Sequence, residues 1–235
     1  MLALSAIMLF YWRHVMIVGI VGLIGSGKDT IANHLVSSHG FRRMSYAASL
    51  KDAVSAIFGW DRVMLDGVTQ ESRQWREQVD QWWSKRLEIP NLTPRFVLQH
   101  LGTEVFRNNF ANDIWVASLE HRLLSSNDHV VITDCRFKNE IESIRSIGGI
   151  VIQVKRGQDP SWYQSAESFN QGPRNMTWAI SRQVLLEYQV HASEYSHVGL
   201  EVDYTFSNNG TIQEIENQVT DMILDIQRVQ HRVAA

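Results

Sequence analysis

A glycine-rich stretch, GLIGSGKDT, carries residues that could bind phosphate. Its spacing matches a phosphate-binding P-loop, because four residues separate Gly22 from Gly27 and Lys28 follows directly. In such a loop, which here includes Gly25, backbone N–H groups and the start of the next helix converge on phosphate oxygens. Lys28 adds positive charge near the β- and γ-phosphates. The stretch therefore predicts a nucleotide phosphate site.

Asp29 stands where the P-loop motif has Ser or Thr, and Thr30 supplies the hydroxyl one place later. An acid in the first turn of a helix is favourable by itself, by about 0.3–1 kcal/mol, and this alternative gives Asp29 no catalytic role. Beside a bound triphosphate, however, the carboxylate repels the ligand unless a cation intervenes or it serves a reacting group. We predict Lys28 and Asp29 as catalytic residues and Thr30 as a metal ligand.

A second polar group follows the apolar run 129–133, and it consists of Asp134, Arg136 and Glu140. Ligands of open α/β sheets bind beyond the carboxyl ends of the strands, so this trio should face the same crevice as the phosphate loop. Asp134 could hold Mg²⁺ directly or through water, Arg136 could bind a phosphate with catalytic effect, and Glu140 could accept from a sugar or base. The alternative is a helix cap, by Asn139 or Asp134, with a surface salt bridge to Arg136.

The segment TPRFVLQHLGTEVFR offers a cation and an amide on one helical face, since Arg95 and Gln99 lie four residues apart. This pair suits a nucleoside monophosphate, with Arg95 for the phosphate and Gln99 for a base edge. Trp115 could stack on the base or belong to the core, and Lys51 could bind phosphate or be an exposed lysine.

The segment 157–177 has little periodicity, which favours a mobile loop or an insertion. Three arginines lie in it or flank it, and a closing lid would use such residues on the transferring phosphoryl group and exclude water. Any one of the three could equally be a solvated surface residue. They are Arg156, Arg174 and Arg182.

Strands that alternate with helices predict an α/β fold with a doubly wound parallel sheet. The predicted strands are 16–21, 129–133, 149–154 and 204–206, and the main predicted helices are 30–38, 50–58, 71–87, 95–106, 115–124, 140–147, 178–188 and 212–229. Residues 16–235 form one predicted domain, and residues 1–15 form an extension outside its core.

Composition limits the partners of this chain. A net charge of −3 gives no general attraction to nucleic acid. Cys135, the single cysteine, excludes an intrachain disulfide, and no apolar segment is long enough to predict a membrane span. We expect a cytoplasmic protein that binds small molecules. The tryptophans within 71–87 make a homodimer interface plausible.

Several stretches together resemble the deoxynucleoside monophosphate kinases of tailed bacteriophages. They are, in order, GLIGSGKDT, ASLKDAV, ESRQWRE, TPRFVLQHLGTEVFR, IWV, VVITDCRFKNEI and HASE, and the resemblance extends from Met16 to the C-terminus. It implies a three-layer P-loop kinase fold, in which a parallel sheet is flanked by helices, with a monophosphate-binding region at about 45–115 and a lid at about 156–190.

The resemblance also implies roles for individual residues. Ser26, Lys28, Asp29 and Thr30 would lie at the ATP phosphates and the reacting centre. The residues implied for the monophosphate pocket are Arg95, Gln99, Gly102, Thr103 and Trp115, and those implied for the phosphate and sugar side of the deoxynucleotide are Asp134, Arg136 and Glu140.

The function expected from this resemblance is phosphorylation of deoxynucleoside monophosphates by ATP with Mg²⁺, in the host cytoplasm if the chain is phage-encoded. One alternative is a P-loop kinase for another small acceptor, such as dephospho-coenzyme A or phosphomevalonate. Another is a nucleotide-binding switch without kinase turnover.

Overall fold

The structure is a computed structural model that describes residues 15–234. The predicted extension 1–15 lies outside the described residues, except for Val15. Within the described part of the chain, no helix is both long and apolar enough to cross a membrane.

Five parallel strands form one sheet in the order β2-β3-β1-β4-β5. Their bounds are β1 Ile17–Val21, β2 Arg42–Met44, β3 Val130–Ile132, β4 Ile150–Lys155 and β5 Tyr204–Ser207. Central strand β1 pairs Val18 with Val131 on one side and with Ile150 on the other. All five residues of β1 are buried, as its apolar sequence predicts for a strand covered on both faces.

Most of the helices follow the predicted segments. Their bounds are α1 Lys28–His39, α2 Ala48–Phe58, α3 Arg62–Asp66, α4 Gln70–Trp75, α5 Gln81–Leu87, α6 Pro94–Gln99, a π-helix at His100–Asn108, α7 Ile114–Leu123, α8 Lys138–Ser146, α9 Tyr163–Gln171, α10 Met176–Glu187, α11 Ala192–Tyr195 and α12 Ile212–Ala234. The chain divides into two compact units, one running up to Met44 and resuming at Asn127, and the other comprising Ser45–Ser126.

The first unit contains the sheet, with helices on both of its faces. Val18 and Ile20 of β1 share a buried cluster with Leu35 of α1 and Val219 of α12. On the opposite face, a side chain at Gly19 would overlap Ile144 of α8. These contacts confirm the predicted α/β fold with a parallel sheet between two helical layers.

The second unit is helical, and here the prediction of one helix over 71–87 is wrong. Helix α4 ends at Trp75, and α5 begins at Gln81 with Asp80 as its cap. The carboxylate of Asp80 accepts from the backbone N–H of Trp83 at 3.0 Å and from the indole N–H of Trp60 at 2.8 Å. Asp80 therefore starts a new helix and anchors it to the aromatic cluster.

Two other segments differ from expectation. The stretch 157–177 is not a loop throughout, because it contains α9, which packs against α10 around Ala166 and Leu185. The predicted helix 95–106 begins as α6 and continues as a π-helix from His100. The three-residue edge strand β2 was not predicted.

Candidate active site

The phosphate loop lies between β1 and α1, at the carboxyl end of the central strand. Gly22 and Gly27 have φ of +151° and +101°, a region that favours glycine. A side chain at Gly22 would come within 2.5 Å of the carbonyl oxygen of Val154, and one at Gly27 would overlap the amide of Asn208. Gly25 lies on the exposed part of the loop. The two ends of the loop therefore require glycine for both conformation and space.

Lys28 is folded over the loop that precedes it. Its ammonium donates to the carbonyl oxygens of Gly22 at 2.7 Å and Leu23 at 2.8 Å. Burial lowers the pKa of Lys28 to about 8, and repulsion from Arg136 is the next largest cause. A half-buried cation thus occupies the centre of the loop, as the motif predicts.

Ser26 is 3% exposed, and its hydroxyl oxygen has no hydrogen-bond partner among the described residues. Its backbone carbonyl accepts from the side-chain amide of Asn208 at 2.8 Å. Asn208 follows β5, and its own N–H donates to the carbonyl of Lys155 at 2.8 Å. Asn208 therefore holds the phosphate loop in place, a role that sequence reasoning missed because Asn208 and Ser26 lie 182 positions apart.

Asp29 lies in the first turn of α1, where its carboxylate pairs with Arg43 of β2 at 3.1 Å. The same guanidinium donates to the side-chain oxygen of Asn33 at 3.1 Å. Thr30 is half-buried, and its N–H donates to the carbonyl of Gly27 at 3.0 Å. The cation beside Asp29 was not identified from the sequence.

The three predicted residues after β3, Asp134, Arg136 and Glu140, have different surroundings in the structure. Glu140 is 2% exposed, and its carboxylate accepts from the backbone N–H groups of Arg136 at 2.7 Å and Phe137 at 3.1 Å. It therefore caps the start of α8, where the side chain of Asn139, one of the predicted caps, also accepts from the N–H of Glu140 at 3.1 Å. A contact of Glu140 with a sugar or base stays a prediction. The first N–H groups of a helix lack partners within it, and Glu140 supplies one.

Arg136 makes its ion pair with Glu194 of α11, not with a neighbour in sequence. Nη1 of Arg136 donates to the carboxylate of Glu194 at 2.6 Å and to the hydroxyl of Ser193 at 3.1 Å. His191 caps α11 by accepting from the N–H of Ser193. The HASE stretch therefore orients Arg136, a role that its sequence alone did not indicate.

His197 lies in the turn after α11 and is 3% exposed, and within the part of the chain that the structure describes neither of its ring nitrogens has a hydrogen-bond partner. Burial, and then the positive charges of Lys28 and Arg136, lower the pKa of His197 to about 4. The imidazole is therefore neutral near pH 7. Asp134 is half-buried, and the thiol of neighbouring Cys135 is held neutral because burial raises its pKa.

In the second unit, the predicted residues fall into a solvent-accessible pair, in which Arg95 is half-buried and Gln99 exposed, and a buried pair. Arg95, which forms an ion pair with Glu77, and Gln99 lie at the surface of α6. Gly102 and Trp115 are buried, and the indole N–H of Trp115 donates to the carbonyl of Gly102 at 2.9 Å. This contact favours the core alternative for Trp115.

Two further residues of this unit, Lys51 and Thr103, were predicted to bind the monophosphate. Lys51 pairs with Asp66 at 3.0 Å, and its side chain is 15% exposed, so it is not the free surface lysine of the alternative. Thr103 is half-buried within the π-helix. The π-helix also contains Gly102, where an added side chain would come within 2.8 Å of Leu50.

The three predicted lid arginines belong to the first unit and are all exposed. Arg174 lies over the ring of Trp178 at 5.8 Å. Burial raises the pKa of the Tyr195 hydroxyl, and the positive charge of Arg182 opposes this rise. An action of Arg156, Arg174 or Arg182 on phosphate stays a prediction.

Comparison with known proteins supports a kinase. Residues 69–166 match the family described as deoxynucleotide monophosphate kinase. A provisionally named deoxynucleotide monophosphate kinase of Acanthamoeba polyphaga mimivirus is 31% identical over 156 residues, which are 60% of this chain and 74% of that protein.

Solved structures with a similar fold are more distant. Shikimate kinase from Aquifex aeolicus is 12% identical with a TM-score of 0.45, over 90% of this chain and 96% of that one. Dephospho-CoA kinase from Campylobacter jejuni is 14% identical with a TM-score of 0.39, over 89% and 96%. At these values the likenesses carry no argument about substrate. The viral relative and the family match show that this chain belongs to the deoxynucleotide monophosphate kinase family.

Proposed function

We propose that this protein transfers the γ-phosphoryl group of ATP to a deoxynucleoside 5′-monophosphate, giving ADP and the deoxynucleoside diphosphate. An oxygen of the acceptor phosphate forms a bond to the γ-phosphorus. The bond from that phosphorus to the β,γ-bridging oxygen breaks, and this oxygen leaves with ADP. No nucleophile of the protein is needed, because positioning and charge stabilisation accelerate phosphoryl transfer.

One observation carries the proposal: positive charge is concentrated at the phosphate loop. Lys28 is half-buried there, and desolvation together with repulsion from Arg136 lowers its pKa to about 8. The same two cations act on the buried imidazole of His197. Holding like charges together costs free energy that an anion between them would offset. The loop is thus suited to a polyanion such as the triphosphate of ATP, which would also give the buried Ser26 hydroxyl a partner.

The proposed binding site of the acceptor monophosphate consists of residues with exposed polar atoms. Only Nη1 of Arg136 takes part in the contacts with Ser193 and Glu194, so its Nε–Nη2 edge can face a phosphate. Arg95 and Gln99 are proposed to bind the phosphate and the base of the monophosphate, with Gly102 and Thr103 shaping that region. Trp115, Lys51 and Glu140 support these segments from the interior or through ion pairs.

The residues present also fit Mg²⁺. This ion keeps several waters and takes one or two protein ligands together with phosphate oxygens, so a dedicated cage of acids is not required. Among the described residues no cluster of three or more acidic, histidine or cysteine ligands occurs. The Thr30 hydroxyl and the Asp134 carboxylate are the proposed ligands, directly or through water. When bound, Mg²⁺ neutralises charge on the β- and γ-phosphates.

A coupled assay of ADP release tests the proposal. ATP with Mg²⁺ is supplied with dAMP, dCMP, dGMP or dTMP, and in parallel with dephospho-coenzyme A or phosphomevalonate. We expect turnover with at least one deoxynucleotide. Turnover with only one of the other two acceptors would assign a different kinase, and ATP binding without turnover would indicate a switch.

Two lysine variants test whether the activity in this assay depends on the phosphate loop. Lys28→Met removes the cation from the phosphate loop and should lower kcat by about 100-fold or more. Lys138→Met removes an exposed lysine that pairs with Glu142 on α8, and it should leave kcat unchanged. Equal activity of both variants would contradict the assignment of the loop.

A further inference from the structure

Arg43 of β2 is bound to the first two turns of α1, the helix that begins at the phosphate loop. Its guanidinium donates to the carboxylate of Asp29 at 3.1 Å, to the backbone carbonyl of Asp29 at 3.4 Å and to the side-chain oxygen of Asn33 at 3.1 Å. Asp29 and Asn33 lie four residues apart, so they form one face of the helix. The side chain of Arg43 is 30% exposed.

The neighbouring Arg42 provides a contrast within the same strand. It pairs with Asp128 at 3.3 Å, and both of these side chains are largely exposed, at 63% and 50%. Successive side chains of a strand point to opposite faces, so Arg42 and Arg43 serve different surroundings. Of these two arginines, Arg43 is the one whose side chain contacts the helix that follows the phosphate loop.

Asp29 creates an electrostatic difficulty that Arg43 can relieve. Its carboxylate follows Lys28 directly in the first turn of α1, where the helix start otherwise favours an anionic ligand. A carboxylate there competes with phosphate for the same positive potential and repels it. A guanidinium paired with the carboxylate cancels this charge and fixes the direction in which the side chain points.

We propose that Arg43 is a positioning residue that neutralises Asp29 and holds its carboxylate on the Asn33 side of α1, so that a nucleotide polyphosphate can enter the loop. The inference rests on the proposed function in one respect, namely that the polyphosphate that enters the loop belongs to a nucleotide. Arg43 touches neither ligand nor reacting atoms in this role, and its effect passes through Asp29.

Titration calorimetry with ADP and with ATP, each with Mg²⁺, tests the inference on the full chain. Arg43→Gln leaves Asp29 charged and unpaired, and it should weaken nucleotide binding by about tenfold or more. Arg42→Gln removes the same charge one residue away and should bind within about twofold of the wild type. Equal weakening by both variants would show a general charge effect and overturn the inference.

A second variant separates positioning from damage to the fold. In the double variant Asp29→Asn/Arg43→Gln no carboxylate is left to neutralise, so binding should return to within about threefold of Asp29→Asn alone. Thermal unfolding of all variants is measured beside the titrations. If the double variant binds as weakly as Arg43→Gln, the arginine acts by another route and the inference is wrong.

The same titrations keep this inference apart from the proposed function. A wild type that binds neither ADP nor ATP overturns the proposed function and this inference with it. A wild type that binds nucleotide, with Arg43→Gln binding equally well, overturns the inference alone. Arg43→Lys retains the charge without the forked geometry and should give an intermediate affinity.

Discussion

Arg136 and Glu194 form an ion pair of 2.6 Å although they are 58 residues apart in sequence. The pair connects the turn after β3 with α11, and Ser193 accepts from the same guanidinium nitrogen at 3.1 Å. The side chains of Arg136 and Glu194 are 43% and 24% exposed, so the guanidinium is accessible while its carboxylate partner is more enclosed. The pair therefore orients Arg136 and leaves part of it open to a ligand.

The first prediction concerns this pair. Glu194→Gln removes the charge that orients Arg136, and the KM for the monophosphate should rise about tenfold with a smaller change in kcat. Steady-state kinetics with the preferred deoxynucleotide measures both constants. Glu201→Gln is the control, because Glu201 is 87% exposed and pairs with Arg145 only at 3.6 Å. An unchanged KM in Glu194→Gln would remove the orienting role.

Lys28 should take up a proton when nucleotide binds at alkaline pH. Its pKa is about 8 in the ligand-free protein because burial and Arg136 disfavour the charge, and bound phosphates raise this pKa again. Binding of ADP at about pH 8.5 should therefore be accompanied by proton uptake, whereas at about pH 7 the lysine is already charged. Calorimetry in two buffers with different ionisation enthalpies measures the uptake. Lys28→Arg should abolish it, and a wild type without uptake would contradict the described surroundings of Lys28.

His197 should make the fold sensitive to acid. Its folded pKa is about 4, below the ordinary 6.5, so the unfolded chain binds the proton first as the pH falls. Stability from this residue is complete above about pH 6.5 and is lost progressively down to about pH 4, by roughly 3 kcal/mol in total. Lys28 and Arg136 are the charged groups that add to the effect of burial.

Denaturant unfolding at about pH 7 and pH 4.5 checks this expectation. His197→Gln should lose less stability between the two pH values than the wild type, because the variant has no imidazole to protonate. His121→Gln alters an exposed histidine of α7 and should behave like the wild type. Parallel losses in the wild type and His197→Gln would count against a buried neutral imidazole.

A variant of Trp115 distinguishes a role in the core from a role in base stacking. Trp115→Phe keeps an aromatic ring but removes the indole N–H that donates to Gly102, leaving a buried carbonyl without this partner. We expect a loss of about 1–3 kcal/mol in the free energy of unfolding and an unchanged KM for the monophosphate. A raised KM without loss of stability would restore the stacking role.

The parts of the fold that the sequence predicted are those with local signals. The apolar run of β1, the glycine spacing and Lys28 together mark a strand, a phosphate loop and a helix start, and all three occur as expected. The ends of the predicted helix 71–87 were also approximately right. Its interruption was missed because the capping role of Asp80 depends partly on Trp60, twenty residues earlier.

The parts of the site that the sequence did not predict depend on contacts between distant segments. Arg43 reaches Asp29 from the next strand, and Asn208 reaches Ser26 from the end of β5. Glu140 was predicted as a ligand residue, and the sequence did not indicate that its carboxylate accepts from the N–H groups of Arg136 and Phe137 at the start of α8. The presence of a charged residue in the sequence does not show whether its side chain caps a helix, pairs with another side chain or binds a ligand.

Transfer of the labelled γ-phosphoryl group tests the central claim most directly. The protein is incubated with ATP labelled at the γ-phosphate, Mg²⁺ and each of the four deoxynucleoside monophosphates, and the products are separated. We predict label in a deoxynucleoside diphosphate with the wild type and with Lys138→Met, and little or none with Lys28→Met. Wild-type protein that binds ATP but places no label in any deoxynucleoside diphosphate would contradict the proposed function.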